Sequence, residues 1–245
     1  MAAKLRADQL LVESGLAESR TRAQALILAG LVHAGFGRID KSGQMLTAET
    51  VLSVQGKDHP WVSRGGIKLE HGLAHFLWDV TGCVAMDVGA STGGFTDVLL
   101  EKGVSRVYTV DSGTNQLAWK LRTDPRVIVL EKTSARVLTE QHVPELVNLI
   151  VCDASFISLT KVLDRPLQFA HPQSRVMALI KPQFEVGRAE VGKGVVTDPA
   201  LRERVCAESA AWFETNGWHV EGIIPSPITG PKGNVEFLIA AQRNI

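Results

Sequence analysis

The chain has no excess of charge of either sign: 26 basic and 26 acidic side chains balance to a net charge of zero. Net charge therefore argues neither for nor against a nucleic-acid partner, and any basic surface must be a local patch. Cysteine is scarce. Cys83, Cys152 and Cys206 are odd in number and far apart, without metal-ligand spacing. This predicts no disulfide, no zinc or other metal site, and a reduced, cytoplasmic setting. Long apolar runs are missing too: Arg6 and Asp8 break up the N-terminus, and no stretch of about 18 apolar residues occurs. Neither a signal peptide nor a membrane span is expected. An apolar share of 45% over 245 residues still suffices for a real core in one large domain, or in a small and a medium one.

The chain is organised around Asp87 to Asp97, DVGASTGGFTD. Small and apolar residues Cys83 to Met86 lead into it like the end of a buried strand. Gly89, Gly93 and Gly94 allow a sharp turn that lies close to a ligand, as in a cradle for a nucleotide-like cofactor. From there short apolar runs (Val84 to Val88, Val107 to Val110, Val127 to Leu130, Leu149 to Val151, Val176 to Ile180) alternate with helical patterns. Such alternation predicts a parallel sheet with helices on both faces. A helix from near Pro199 to Gly217 and strands at Trp218 to Ile224 and Val235 to Ala241 bring the sheet to about seven strands. The last is expected antiparallel, the arrangement of class I methyltransferases.

The N-terminal stretch reads differently. Helical spacing ends at Gly15, and Ser19 caps a second helix with Arg20 and Arg22 in its first turn. Cations there oppose the helix dipole, which suits arginines facing an anion such as an RNA phosphate. Solvated surface arginines are the equal alternative. Gly35 and Gly37 mark a tight turn, and Gln55 to Pro60 is a polar connection. The boundaries expected are a small domain at 1–56, a linker at 57–62 and a large domain at 63–245. An amphipathic helix with Ile67, Leu69, Leu73, Phe76 and Leu77 opens the large domain, and Lys68 in its first turn is by spacing alone a solvent-facing residue.

RADQLLVESGLAESRTRAQALILAGLV, followed by a glycine turn and Asp40-Lys41-Ser42-Gly43, resembles an S4-type RNA-binding domain, a small α+β module. The resemblance implies that a two-helix face with Arg6, Arg20 and Arg22, with Lys41 at the turn, contacts structured RNA.

Asp87 at a strand end suits the support of a cofactor's amino-acid end. Ser91 stands where a dinucleotide fold prefers glycine for a pyrophosphate, and S-adenosylmethionine has none. Asp111, after the second strand, can accept from two ribose hydroxyls, although a turn residue or helix cap is the alternative, since Ser112 and Gly113 follow. Asp153 and Lys181 end the fourth and fifth strands at the ligand edge, and Glu236 begins the last strand. With Lys68 they form a Lys, Asp, Lys, Glu set suited to taking a proton from an alcohol. Burial and a second lysine lower a lysine's pKa while flanking carboxylates raise it, and the sequence leaves that competition open. Asp153-Ala154-Ser155-Phe156 differs from the polar-Pro-Pro-aromatic loop common for amino-group methylation, and Cys152 lies within a strand rather than on a loop as a thiolate nucleophile.

SRGGIKL, DVGASTGGFTD, Gln116 to Trp119, CDASFISL, LIKPQFE and GPKGNVEF resemble the hemolysin A (TlyA) family, and the large domain resembles FtsJ-like ribose methyltransferases. The resemblance spans nearly the whole chain. It implies S-adenosylmethionine-dependent 2'-O-methylation of ribosomal RNA, at a cytidine. Lys181 would be the general base, Lys68 would tune it and hold the ribose, and Asp153 and Glu236 would position the lysines. Asp87, Gly89, Ala90, Ser91, Thr92, Gly93, Gly94, Phe95, Asp111 and Asp153 would line the cofactor pocket, and Arg64 would join the RNA contacts. At the junction, where relatives are more basic, this chain has Lys57-Asp58-His59-Pro60. Trp78, Trp119, Trp212 and Trp218 are expected as core or interface anchors, Phe156 as a core or base-flanking residue, and Lys193 as a solvated lysine. Two rival functions are a non-catalytic RNA-binding assembly factor and, as the family name suggests, a pore-forming haemolysin.

Overall fold

The computed structural model describes residues 4–17, 19–35, 37–54, 59–187, 190–192 and 194–243. Lys57, Asp58 and Lys193 lie outside them. The chain divides into two compact units, residues 1–60 and 61–245.

In the first unit, strand β1 (Lys4–Arg6) runs straight into helix α1 (Ala7–Glu13), and helix α2 (Arg20–Leu28) follows. The Ser19 hydroxyl accepts from the Arg22 amide, the expected cap. Short strands β2 (Val32–Ala34), β3 (Gly37–Arg38), β4 (Met45–Thr47) and β5 (Leu52–Val54) complete it, with β1 paired to β4 and β2 between β3 and β5. Ala7, Leu10, Leu11, Ala23, Ile27 and Val32 form its core. Arg6 is the last residue of a strand rather than part of the helical face the sequence assigned it to.

The second unit begins with Trp61 and Val62, placed in the linker by sequence. Trp61 is buried and donates to Glu70, and the Val62 amide donates to Asp97. Helix α3 (Gly65–His75) stops two residues before Leu77, which adopts φ +55° and is almost fully exposed. Leu77 therefore does not share the buried helix face. Then come β6 (Val84–Val88), α4 (Gly94–Glu101), β7 (Arg106–Val110), α5 (Trp119–Arg122), β8 (Val127–Leu130), β9 (Val147–Cys152), α6 (Leu159–Leu163), β10 (Ala170–Ile180), α7 (Pro182–Glu185), α8 (Pro199–Thr215), β11 (His219–Pro225) and β12 (Phe237–Gln242).

These strands make one seven-stranded sheet in the order β11-β12-β10-β9-β6-β7-β8. The strands from β6 to β10 pair in parallel, whereas β12 is antiparallel to both its neighbours, as expected. Alternate residues feed two layers. Met86, Ile150, Ala178 and Ile239 pack with Phe213 on one face, and Ala85, Leu149, Met177 and Leu238 with Leu69 and Leu99 on the other. Burial on both faces explains the continuous apolar runs. Between β6 and β9 the chain order reverses, so the loops after them part and leave a crevice. Among the described residues no helix is long and apolar enough to cross a membrane.

Candidate active site

The glycine loop leaves β6 at that crevice. Gly89 takes φ +79°, and a Cβ on it would stand 2.8 Å from the Ala154 backbone, so only glycine lets the loop after β6 touch the loop after β9. Gly93 also has positive φ, but a Cβ there would strike Leu117 and Leu121. The close packing fixes this end of the loop against the two leucines. Gly89, Ser91, Asp111, Gln116 and Ser134 border a cavity of about 480 Å³, and Ala90, Thr92, Gly94 and Phe95 border an adjoining one of about 240 Å³. Asp153 and Ser155 line both.

Asp87 is fully buried at the back of the loop. One carboxyl oxygen accepts from the Thr96 amide (3.1 Å) and hydroxyl (2.6 Å), while the other has no hydrogen-bond partner. Burial pushes its pKa up to about 7, helped by the charges of Asp153 and Asp111 and opposed by the Thr96 bonds. An orphaned buried acceptor at the cavity wall calls for a donor, and the ammonium of an amino-acid cofactor tail fits it. Asp111 accepts from the Ser91 and Gly113 amides at 2.7 Å each. It thus acts as the turn residue that was the alternative reading, and still offers its remaining lone pairs to the larger cavity. An adenosine-bearing amino-acid cofactor fits this donor and acceptor set.

In the smaller cavity the four residues expected as a set come together. Lys68, from α3, pairs with Glu236 at 2.6 Å and lies 3.8 Å from Asp153. Lys181, from the end of β10, pairs with the same Asp153 at 2.6 Å. Its Nζ also donates to the Asp153 carbonyl oxygen (3.2 Å) and the Ser155 hydroxyl (2.9 Å). Lys68, Lys181 and Glu236 are buried, contrary to the solvent-facing reading that spacing gave Lys68. Glu236 stands one residue before β12 rather than beginning it. Cys152 is buried and its thiol is pushed up to about 12, which removes it as a thiolate nucleophile.

Several residues differ from expectation or were missed. Ser155 and Gln116 line the cavities without having been singled out for it. Ser155 could have been found as the second residue after Asp153 on the same strand-end loop. Phe156 is 90% exposed at the rim, its ring 5.1 Å from that of Phe184, so it is no core residue. Trp119 is largely exposed and so no core residue, whereas Trp78 and Trp218 are buried. Arg64 is exposed and donates to the Thr229 carbonyl oxygen. In the first unit Arg22 and Lys41 are exposed, while Arg6 and Arg20 both bond Asp8.

Residues 61–243 match the family model for FtsJ-like methyltransferases, and residues 5–52 match that for the S4 domain. The 16S/23S rRNA (cytidine-2'-O)-methyltransferase TlyA of Mycobacterium tuberculosis is 45% identical over 241 residues, 98% of this chain and 90% of that protein. YqxC of Bacillus subtilis, provisionally named an rRNA methyltransferase, is 44% identical over 96% of this chain and 85% of its own. A solved structure from Streptococcus thermophilus, provisionally named a hemolysin, superimposes with a TM-score of 0.78 at 40% identity, covering all of this chain and 90% of that one.

Proposed function

The chain belongs to the FtsJ-like methyltransferase family, and from that premise we propose that it methylates a ribose 2'-hydroxyl of ribosomal RNA, at a cytidine, using S-adenosylmethionine, on ribosomal subunits in the cytoplasm. The observation that carries this reading is the pair of buried lysines, each held by a carboxylate, at the wall of the cavity that the glycine loop lines.

Asp87, the loop from Gly89 to Phe95, Asp111 and Gln116 hold the cofactor, which when bound supplies an electrophilic methyl group. Lys181, as the neutral amine, takes the proton of the ribose 2'-hydroxyl while that oxygen attacks. The ammonium so formed donates to the Asp153 carbonyl oxygen and the Ser155 hydroxyl, and its charge is paired with the Asp153 carboxylate. Lys68, held in place by Glu236, stabilises the ribose oxygen as it gains negative charge. Asp153 and Glu236 position the two nitrogens. The loop Asp153-Ala154-Ser155-Phe156 is not the polar-Pro-Pro-aromatic loop common for amino-group methylation, and Cys152 is buried, which favours the alcohol over a base atom. In the N-terminal unit Arg6, Arg20, Arg22 and Lys41 supply RNA contacts, and in the second unit Arg64 supplies one.

Transfer of labelled methyl from S-adenosylmethionine to ribosomal subunits lacking the modification tests the reading. Lys181→Ala should lose transfer by about 10²-fold or more while binding the cofactor normally. Native-like transfer by that variant removes Lys181 as the base, and label mapped to a base atom removes the 2'-O assignment.

A further inference from the structure

Asp8 opens the first turn of α1 and is fully buried. A buried carboxylate must be paired, and this one draws on three side chains from two directions. Arg6, at the end of β1, donates through Nε (3.0 Å) and Nη2 (2.9 Å); from α2, Arg20 donates through Nη2 (3.3 Å) and Gln24 through Nε2 (2.8 Å). The Arg6 contact foremost holds the carboxyl well below the usual carboxylate range, so the anchor stays charged.

The arrangement is richer in positive charge than the carboxylate requires. Arg6 and Gln24 alone would satisfy it, yet a second guanidinium is drawn onto the same oxygen and the group ends with a net positive charge. Both arginines remain about half exposed, at 43% and 56% of their side chains. Each guanidinium has five N–H donors; Arg6 commits two to Asp8 and Arg20 one, and the rest are free to face outward. Arg6 also lies across the turn that carries Lys41, since a Cβ on Gly43 would meet its Nη1 at 3.2 Å. Exposed arginines normally lose rotamer freedom when they bind, a cost that an anchor removes beforehand.

We propose that Asp8 is the positioning residue of a phosphate clamp: it holds the Arg6 and Arg20 guanidiniums side by side, pre-aligned for the backbone phosphates of a structured RNA. This rests on the reading of the N-terminal unit as the RNA-binding one.

Simple electrostatics and positioning predict opposite signs for Asp8→Asn. Removing a negative charge beside the RNA should tighten binding, whereas releasing the clamp should weaken it. With the full-length protein and a fluorescein-labelled stem–loop RNA, Asp8→Asn is expected to raise Kd by about tenfold. The slope of log K against log salt should flatten by about 1 to 2 as phosphate contacts are lost. Kd equal to or below the native value overturns the proposal. Amide exchange of α1 and α2 reports whether the unit stays folded. Should Asp8→Asn unfold it, Gln24→Ala decides, because it sits at an exposed position and leaves every charge in place. A Kd raised by about twofold to threefold is expected there, and no change overturns the proposal. In parallel, Arg6→Ala with Arg20→Ala tests the underlying reading: native-like RNA binding by that double variant rejects the RNA face itself, a result separate from either sign of the Asp8 effect.

Discussion

Asp87→Asn should make the cofactor-free protein more stable at neutral to alkaline pH while crippling cofactor binding. The carboxyl is fully buried and its pKa moves from 3.8 to about 7, chiefly through burial. Below about pH 3.8 it is protonated whether the chain is folded or not, and folding meets no penalty. As pH rises from 3.8 to 7 the unfolded chain ionises first, so this group takes stability away, and above about 7 the loss is constant. At 1.36 kcal/mol per pH unit the loss reaches about 4 kcal/mol at pH 8. Asparagine keeps an acceptor for the Thr96 amide and hydroxyl but puts an unpartnered NH₂ where the orphaned oxygen stood, at about 1 to 3 kcal/mol. The net expectation is a gain of about 1 to 3 kcal/mol at pH 8, shrinking toward pH 5. Cofactor affinity should move the other way. A cationic amino group binds the ionised carboxylate, so native affinity should be level above about pH 7 and fall by up to about tenfold per unit below it, whereas the variant binds weakly at every pH. Thermal melts and titration calorimetry from pH 5.5 to 8.5 measure both. A variant less stable than the native protein at pH 8, or a native affinity independent of pH, refutes the reasoning.

Glu236→Ala leaves Lys68 buried without its closest partner and should cost about 3 to 5 kcal/mol in urea denaturation. By contrast, Lys68→Met with Glu236→Leu should fold about as stably as the native chain and be inactive, because the pair is retained for chemistry rather than for stability. Gly89→Ala must place a Cβ 2.8 Å from the Ala154 backbone at a φ of +79°. It should cost about 1 to 3 kcal/mol, and calorimetric titration should show cofactor affinity lost along with the stability.

The sheet was legible because its central strands are buried on both faces and so read as unbroken apolar runs, and because Asp87, Asp111, Asp153 and Lys181 stand directly at strand ends. What the sequence hid were relations across the chain. Lys68 looks like any lysine in a helix's first turn, and its burial depends on a carboxylate 168 residues away. Leu77 keeps the helical period but follows a helix that has already ended. Arg6 and Arg20 show positive charge in one dimension, whereas Asp8, which decides where both point, reads only as a polar interruption. Trp119 has the composition of a core residue, yet α5 turns Leu121 inward and leaves Trp119 exposed.

The Lys68–Glu236 contact joins the first helix of the methyltransferase unit to the threshold of its last strand. The residues that border the two cavities are spread along the unit from Ser63 to Glu236. A chain that ends before Glu236 therefore lacks one member of the proposed set of reacting groups, which is complete only when the two ends of the unit meet. Catalytic competence thus doubles as a report that the unit has been synthesised and closed in full.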